Sequence, residues 1–447
     1  MSVPAAPLSE HGARLAALAA HLRVPLYRDG YALVLNSGLT AVLGLLYWLL
    51  AARSYKPHAV GVNTAAISAM MFLAGVAQLN LMSALLRFVP VLGRLRRRFI
   101  TACYVVAASA AVGCAAVFLF GLHVWAPGLG ALGANSGMIV WFIAATATWC
   151  VFNLQDSALT ALGAAVAVPV ENVVYGIAKI VLLVLLVSAS PRYGIFGSWS
   201  AALLVSVIPV NALIFGPLLR RKRGVVDPTK VPTRREIVLF VAPDYLGALL
   251  WLAATTLMPV IVVAIAGATS NAFFSVAWMI TLPLILVSIN TGQALVVTGA
   301  RDPDRLAEYA RKVLGQTARL VIPAAAAIAL AAPYVLRLFG RAYAEHAATT
   351  LTLLALSAIP NMITTLYVSI YRVQKRMRAV VTLLAGLCGS VLLLGPVLLT
   401  VMGITGVGLA WLLCQSVVAL VLRRVDPTGV APGGARARSG VPHASVS

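Results

Sequence analysis

Twelve stretches of mostly apolar residues, each long enough to cross a lipid bilayer as a helix, dominate this sequence. Crossing the roughly 30 Å of hydrocarbon takes about 20 helical residues. The stretches lie at approximately 31–52, 60–90, 99–122, 137–155, 158–189, 195–219, 237–263, 270–298, 316–336, 347–371, 379–401 and 405–423. The chain is 61% hydrophobic and 10% charged, which is more apolar surface than a water-soluble domain can bury. The sequence therefore predicts an all-α integral membrane protein with about twelve transmembrane helices.

The lysines and arginines indicate how these helices are oriented. With the N-terminus in the cytoplasm, 26 of them fall on the cytoplasmic side and 5 on the opposite side. Because basic residues accumulate in cytoplasmic loops, both termini are predicted to be cytoplasmic, in the cytoplasmic (inner) membrane of the cell. This topology accounts for most of the net charge of +22, with attraction to anionic membrane lipids as a by-product. We therefore expect no nucleic-acid partner.

A repeated pattern indicates that the chain consists of two related halves. A G-I-x-G turn precedes an apolar helix at Gly194 and again at Gly403, an offset of 209 residues. At an offset of 208, Asn63 matches Asn271 near the start of the second helix of each half. Six helices is an even number, so both halves enter the membrane in the same sense. The pattern predicts two six-helix lobes related by a parallel repeat, an arrangement that encloses a cavity in many transporters.

The predicted helices and linkers divide the chain into five segments. A cytoplasmic N-terminal segment contains a short amphipathic stretch that is expected to lie on the membrane surface. Two lobes are joined by a basic cytoplasmic linker, and a Pro-, Gly- and Ser-rich cytoplasmic tail is expected to be disordered. In order, these segments are residues 1–28, 29–219, 220–236, 237–424 and 425–447.

Two parts of the sequence resemble a known transporter family. The segment NSGLTAVLGLLYWLLAARSYKPHAVGVNTAAISAMMFLAGVAQLNLMSALLRFVP is similar to the first two helices of polysaccharide flippases. Its features are a long first helix, a Gly-x-Asn entry to helix two, and Arg87 followed by Pro90. The closing GITGVGLAWLLCQSVVALVL resembles the last helix of that family. These flippases belong to the multidrug/oligosaccharidyl-lipid/polysaccharide exporter superfamily.

The resemblance implies two six-helix lobes and a transport function. The expected cargo is a polyprenyl-pyrophosphate-linked oligosaccharide, flipped from the cytoplasmic to the outer leaflet by alternating access for surface polysaccharide and lipopolysaccharide biosynthesis. Other polysaccharide assembly proteins are expected as partners, and coupling to protons or sodium is expected to drive the cycle. The expected protein is not an enzyme and needs no cofactor.

Ionisable residues inside the apolar stretches are the candidate functional residues, because burying a charge in lipid is costly. Arg87 and Lys179 are candidates for binding the substrate pyrophosphate, since both cations suit phosphate oxygens. Arg87 could instead extend to the cytoplasmic interface, and Lys179 to a membrane surface. Glu171 lies eight residues before Lys179, so the two share a side of one helix without pairing.

Glu171 and Asp244 are the candidates for binding a coupling proton or cation. Asp244 follows Pro243, and a proline that interrupts a helix frees backbone carbonyls that can join such a site. Structural polar packing is the alternative for both carboxylates. Asn36 occupies the position that matches Asp244 in the first half, so the halves are expected to act unequally. Asp156, in the short predicted turn at 153–157, is expected to cap a helix.

Other functions remain as alternatives. A cation-coupled multidrug exporter of the same superfamily would share the fold and the acidic residues, but it would not need a basic cavity. A peptidoglycan-precursor flippase usually has more than twelve helices. A polytopic glycosyltransferase or polymer ligase would present a larger outer loop with acidic residues, whereas the outer connection at 123–136 has none. No P-loop, metal-ligand or nucleophile–base motif is present, so no catalytic or metal site is expected.

Overall fold

The computed structural model describes residues 25–220 and 234–425, without the side chains of residues 25–35, 37, 234 and 237–244. The predicted amphipathic stretch at 13–24, most of the basic linker and the predicted tail after Val425 lie outside these residues. The described residues form helices joined by short turns, and they include no strand. This confirms the all-α fold class.

Thirteen α-helices follow one another along the described residues. They are α1 (Pro25–Ser54), α2 (Pro57–Ala77), α3 (Leu81–Phe88), α4 (Arg96–Phe120), α5 (Leu122–Trp125), α6 (Ser136–Ala161), α7 (Ala167–Ala189), α8 (Gly194–Leu213), α9 (Arg234–Arg301), α10 (Leu306–Arg337), α11 (Arg341–Val373), α12 (Met377–Met402) and α13 (Ile404–Val425). A single π-helical turn, Ile214–Leu218, extends α8.

Twelve membrane crossings can be recognised within the described ranges. Ten helical segments there are long and apolar enough to span a bilayer. One of them, Tyr245–Arg301, contains two crossings because Gly267 interrupts the helix with φ 83° and ψ 167°. Essentially only glycine adopts that conformation without strain. Helix α1, whose residues Gly38–Ser54 are apolar, supplies the remaining crossing.

Two predicted helix boundaries were wrong. The stretch predicted as one helix over 60–90 is two helices, because Leu79 and Asn80 adopt positive φ angles of 48° and 55° after α2 ends. The Asn80 side chain accepts a hydrogen bond from Ser83 Oγ at 2.9 Å, and asparagine tolerates this left-handed conformation better than most residues do. As a result, Arg87 lies on the separate short helix α3 and not on α2.

The predicted turn at 153–157 is helical. Helix α6 continues to Ala161, and Gly163, two residues later, has a φ of 75°. The Gly163 amide donates to the Thr160 carbonyl, and the Ala164 amide donates to the Leu159 carbonyl. Glycine in this position is a common way to end a helix. Asp156 therefore lies inside α6 and does not cap a helix.

The chain divides into two compact units. The first runs to Val276 and includes Leu338–Gly340, and the second comprises Ala277–Arg337 and the residues from Arg341. The lobes at 29–219 and 237–424 stay a prediction.

Two asparagines at matching positions of the repeat hold helices of the first unit together. Asn63 Nδ2 donates to the Arg192 carbonyl at 2.7 Å, and Asn63 Oδ1 accepts from the Phe196 amide at 2.7 Å. These bonds tie α2 to the start of α8. Asn271 Nδ2 donates instead to the carbonyl of Gly61 at 2.8 Å and to Thr64 Oγ1 at 3.0 Å. Helix α9 is thereby tied to α2.

The contact between α2 and α9 at Gly61 predicts the effect of a single methyl group. A Cβ at position 61 would overlap the carbonyl oxygen of Ala268. We expect Gly61→Ala to destabilise the protein by about 1–3 kcal/mol through overpacking. Thermal unfolding of the detergent-solubilised protein measures the effect. Gly44→Ala on α1, where a Cβ meets no atom within 4 Å, is the control. Equal stability of the two variants would contradict this packing.

Candidate functional site

Helix α7 has two faces of opposite character. Glu171, Tyr175 and Lys179 follow one another at intervals of four residues on its buried face. This spacing keeps them on one side of the helix. The exposed surface of the helix is mostly apolar, and it includes Val170, Val174, Ile177, Val181, Val184 and Leu185. Because exposed apolar residues on a membrane helix face lipid, the ionisable face of α7 lies against protein.

The Glu171 carboxylate is part of a buried polar network between α6, α7 and α8. Its side chain is only 3% exposed. Gln155 Nε2 and Ser206 Oγ both donate to Glu171 Oε1, the latter at 3.4 Å. Asn211 Nδ2 donates to Gln155 Oε1 at 2.9 Å, which orients the glutamine amide so that it donates to the carboxylate. Neutral side chains therefore hold one oxygen of this carboxylate in a fixed position.

Asp156 places a second carboxyl group beside that of Glu171. Asn172 Nδ2 donates to Asp156 Oδ2 at 3.5 Å. Four buried oxygen atoms of this cluster have no N–H or hydroxyl partner among the residues that the structure describes: Asp156 Oδ1, Glu171 Oε2, Asn211 Oδ1 and Tyr104 Oη. The Asp156 and Glu171 carboxyl groups are close enough to bond each other when one of them carries a proton. Buried oxygens are rarely left without a partner. This cluster has the chemistry to bind a proton or a small cation.

The Lys179 ammonium group lies within a cage of aromatic rings. Its Nζ is 4.2 Å from the centre of the Trp199 ring, 5.0 Å from that of Tyr47 and 5.1 Å from that of Tyr175. The residue is 7% exposed, and no carboxylate within the described ranges forms an ion pair with it. Cation–π attraction stabilises the charge in place of a counter-ion.

The other two candidate residues do not lie on this buried face. Arg87 is exposed on α3, and its guanidinium carbon lies 5.7 Å from the centre of the Phe88 ring. Asp244 lies in α9, which stays helical through Pro243. The Asp244 side chain is outside the described part of the chain, and its role stays a prediction. Asn36 Oδ1, at the matching position, accepts a bond from Thr40 Oγ1 at 3.4 Å.

Sequence reasoning found Glu171 and Lys179, with Asn172 and Tyr175 nearby on the same helix, but it missed the residues that other helices contribute. Asp156 was assigned to a turn, although the nearby Leu162-Gly163 pair signals the actual end of α6. The neutral partners Gln155 and Asn211 carry no signal of their own in the sequence. Among the residues described, no group of three or more His, Cys, Asp or Glu side chains could hold a metal ion.

Comparison with known proteins identifies the fold. No family model and no curated protein matches the sequence. An inward-facing multidrug resistance MATE family transporter of the MOP superfamily matches 87% of this chain and 95% of its own, with a TM-score of 0.64 and 16% identity. The inward closed form of the lipid II flippase MurJ matches 88% of this chain and 87% of its own, with a TM-score of 0.65 and 13% identity. The outward-facing form of a MATE transporter has a TM-score of 0.57, with 15% identity over 92% of this chain and 96% of its own.

The chain is thus a multi-pass membrane protein with the fold of MATE transporters and MurJ. At 13–16% identity this likeness concerns the fold and not the cargo.

The polar network predicts how two substitutions combine. Gln155→Leu removes a donor from the buried Glu171 carboxylate, so we expect it to destabilise the protein by about 1–3 kcal/mol. Glu171→Leu in the same chain should recover most of that loss, because no buried carboxylate is left without its donor. Thermal unfolding of the purified single and double variants measures this coupling.

Gln415 provides the matched control. It is also buried, and its Oε1 accepts a bond from Thr364 Oγ1 at 3.1 Å. Gln415→Leu should be destabilising whether or not Glu171 is replaced. If Glu171→Leu restored stability to both glutamine variants or to neither, Gln155 and Glu171 would not be specifically coupled.

Proposed function

We propose that this protein is a transporter that flips a polyprenyl-pyrophosphate-linked oligosaccharide across the cytoplasmic membrane by alternating access, for surface polysaccharide assembly. The observation that supports this most directly is the buried face of α7. Within the described part of the chain, it carries a carboxylate with one oxygen that receives no hydrogen bond and, two turns further on, an ammonium group that forms no ion pair. Ionisable side chains are costly inside a membrane protein and usually mark a substrate or ion pathway.

Transport of the proposed cargo requires a cation that binds its pyrophosphate and an acidic group that binds the coupling ion. A sugar headgroup and a doubly charged pyrophosphate cannot cross hydrocarbon unaided. Lys179 is the proposed phosphate ligand inside the first unit, and Arg87 is a proposed ligand at the exposed surface. The aromatic rings cover the Lys179 ammonium in the structure, so a phosphate reaches it only after the cage opens.

Glu171 is the proposed coupling group, with Asp156 as its neighbour. Binding a proton or sodium ion at the unpartnered oxygens changes the net charge of the cluster between α6, α7 and α8. A ligand shifts a conformational equilibrium only through different affinities for the two states, and a buried carboxylate pair provides such a difference. Asp244 is the second proposed coupling residue.

The fold is compatible with this proposal. The similar solved structures include a lipid II flippase and multidrug transporters. We propose two lobes at 29–219 and 237–424, both termini in the cytoplasm, no catalytic activity and no cofactor. Membrane lipids and other polysaccharide assembly proteins are the proposed partners.

A cation-coupled multidrug exporter is the second candidate function. A cluster of aromatic rings on α1, α6, α7 and α8 favours it, because such rings bind lipophilic cations. Its members include Tyr47, Trp48, Trp149, Tyr175 and Trp199. The likeness to MATE transporters supports this function as much as likeness to MurJ supports the first.

Deleting the gene separates these functions. Mass spectrometry should show accumulation of one complete polyprenyl-pyrophosphate glycan, together with loss of the matching surface polymer, because assembly would stop at the flipping step. An unchanged lipid pool with greater sensitivity to cationic dyes would support drug export instead. A truncated glycan would indicate an enzyme of glycan assembly.

Replacing Glu171 tests the coupling role. We expect Glu171→Gln to keep the fold but to lower the flipping rate of a fluorescent lipid-linked oligosaccharide in proteoliposomes by about tenfold or more, since about 1.4 kcal/mol of coupling corresponds to tenfold. The wild type should respond to an imposed pH or sodium gradient, and the variant should not.

Glu345→Gln is the control, because Glu345 is exposed and pairs with Arg341 at 2.7 Å. It should flip as the wild type does. Asp244→Asn in the same assay tests the second coupling residue. A gradient response retained by Glu171→Gln would remove Glu171 from the mechanism.

A further inference from the structure

The aromatic cage around Lys179 has the geometry of a cation-binding site. It consists of Tyr47 on α1, Tyr175 on α7 and Trp199 on α8, all within the first compact unit. The centres of these rings lie 5.0, 5.1 and 4.2 Å from Lys179 Nζ. A ring attracts a cation that lies within about 6 Å of its centre, and cages of several rings are used to bind quaternary ammonium and methylated lysine groups.

The positions of the three rings do not depend on Lys179. Tyr47 Oη donates to the Ile195 carbonyl at 2.9 Å, and Tyr175 Oη donates to the Trp199 carbonyl at 3.3 Å. The two tyrosine rings each pack edge-on against the Trp199 ring, with centre-to-centre distances of 5.5 and 6.3 Å. Edge-to-face packing is a favourable arrangement of aromatic rings. Contacts among its own members therefore build the cage, and the lysine occupies a site that stands without it.

The cage selects for positive charge and not for a lysine in particular. The negative faces of aromatic rings attract a cation, and they do so more strongly where water is excluded. All three rings are buried. Within the described ranges no carboxylate forms an ion pair with Lys179, so the rings and not a counter-ion hold the ammonium group. A small organic ammonium ion meets the same requirement.

Lys179 has an advantage over any free cation because it is covalently attached beside the cage. A short flexible tether gives a ligand an effective concentration of about millimolar. A free organic cation of equal intrinsic affinity must exceed that concentration to displace the ammonium group. Two cations also repel each other, so a second one does not join the lysine in the same cage.

We infer that the aromatic cage is a binding site for small organic ammonium ions and that Lys179 keeps such ions out of it. Lys179 is thus a specificity-determining residue, which fills the cage as a tethered cation. This inference goes beyond the proposed flipping function, because it concerns binding to the cage and holds for either cargo. It separates the presence of aromatic rings from the ability to bind a lipophilic cation, on which the second candidate function depends.

Replacing the lysine side chain by a free ammonium ion tests the inference. Lys179→Ala removes the outer part of the side chain, which has the atoms of n-propylammonium. We expect n-propylammonium and tetramethylammonium to bind the detergent-solubilised variant about tenfold more tightly than the wild type, since desolvated cation–π attraction exceeds the free energy of a tenfold change. The rise of the unfolding temperature with cation concentration measures binding. The neutral molecule n-propanol should not bind.

Three further variants serve as controls. Lys179→Met removes the charge but keeps an unbranched side chain in the cage, so this variant should not bind the ammonium ions. Lys312→Ala removes an exposed lysine that pairs with Glu308 at 2.7 Å, and it should behave as the wild type does. Adding Trp199→Phe to Lys179→Ala should weaken cation binding severalfold, because tryptophan attracts cations more strongly than phenylalanine.

A measurement on the wild type keeps the inference testable if Lys179→Ala does not fold. Tetramethylammonium chloride at high concentration should displace the Lys179 ammonium group from the cage. The displaced amine should then react severalfold faster with a lipophilic amine-directed reagent, as measured by mass spectrometry of peptides from α7. Sodium chloride at the same ionic strength is the control and should not speed the reaction.

Several results would contradict the inference. If the wild type bound tetramethylammonium as tightly as Lys179→Ala does, the lysine would exclude nothing. If folded Lys179→Ala bound neither ammonium ion, or bound n-propanol equally well, the cage would not be a cation site. Equal reaction rates of Lys179 in the two salts would show that organic cations do not compete with it. None of these results bears on the flipping of a lipid-linked oligosaccharide, which the gene deletion tests separately.

Discussion

The rest of this structure depends on one constraint, that its helices are surrounded by the hydrocarbon of a lipid bilayer. Lipid offers no hydrogen bonds, so the backbone must satisfy its own polar groups, and helices do so within one segment. The same constraint sorts the side chains of α7, whose lipid-facing surface is apolar while Glu171 and Lys179 face protein. Neutral hydrogen-bond donors stabilise the Glu171 carboxylate, and aromatic ring faces stabilise the Lys179 ammonium group.

The membrane-crossing helices were predictable because their signal is a sum over about twenty residues. The ends of helices were not, since a boundary depends on one or two residues. Asn80 and Gly163 each adopt a positive φ that ends a helix, and nothing in the hydropathy of their neighbours indicates it. Gly267 separates two crossings in the same way, and there the sequence placed the gap correctly because the polar residues 269–271 follow it closely.

The candidate site was predictable only in its charged members. Glu171 and Lys179 stand out because ionisable residues are rare in apolar helices. Their neighbours are ordinary in the sequence. Gln155 and Tyr47 become part of the site only because α6 and α1 pack against α7 and its neighbour α8, which hydropathy does not encode.

Asn63 and Asn271 show that residues at matching positions of the repeat can form different hydrogen bonds. A side-chain amide carries two donor hydrogens and one acceptor oxygen, so it can satisfy quite different surroundings. Asn63 forms its hydrogen bonds with the start of α8 and the residue before it, whereas Asn271 joins α9 to α2. At this pair of positions the repeat therefore preserves the residue type and not its hydrogen-bond partners. Superposing the two asparagines and their helices would therefore not reproduce their hydrogen bonds.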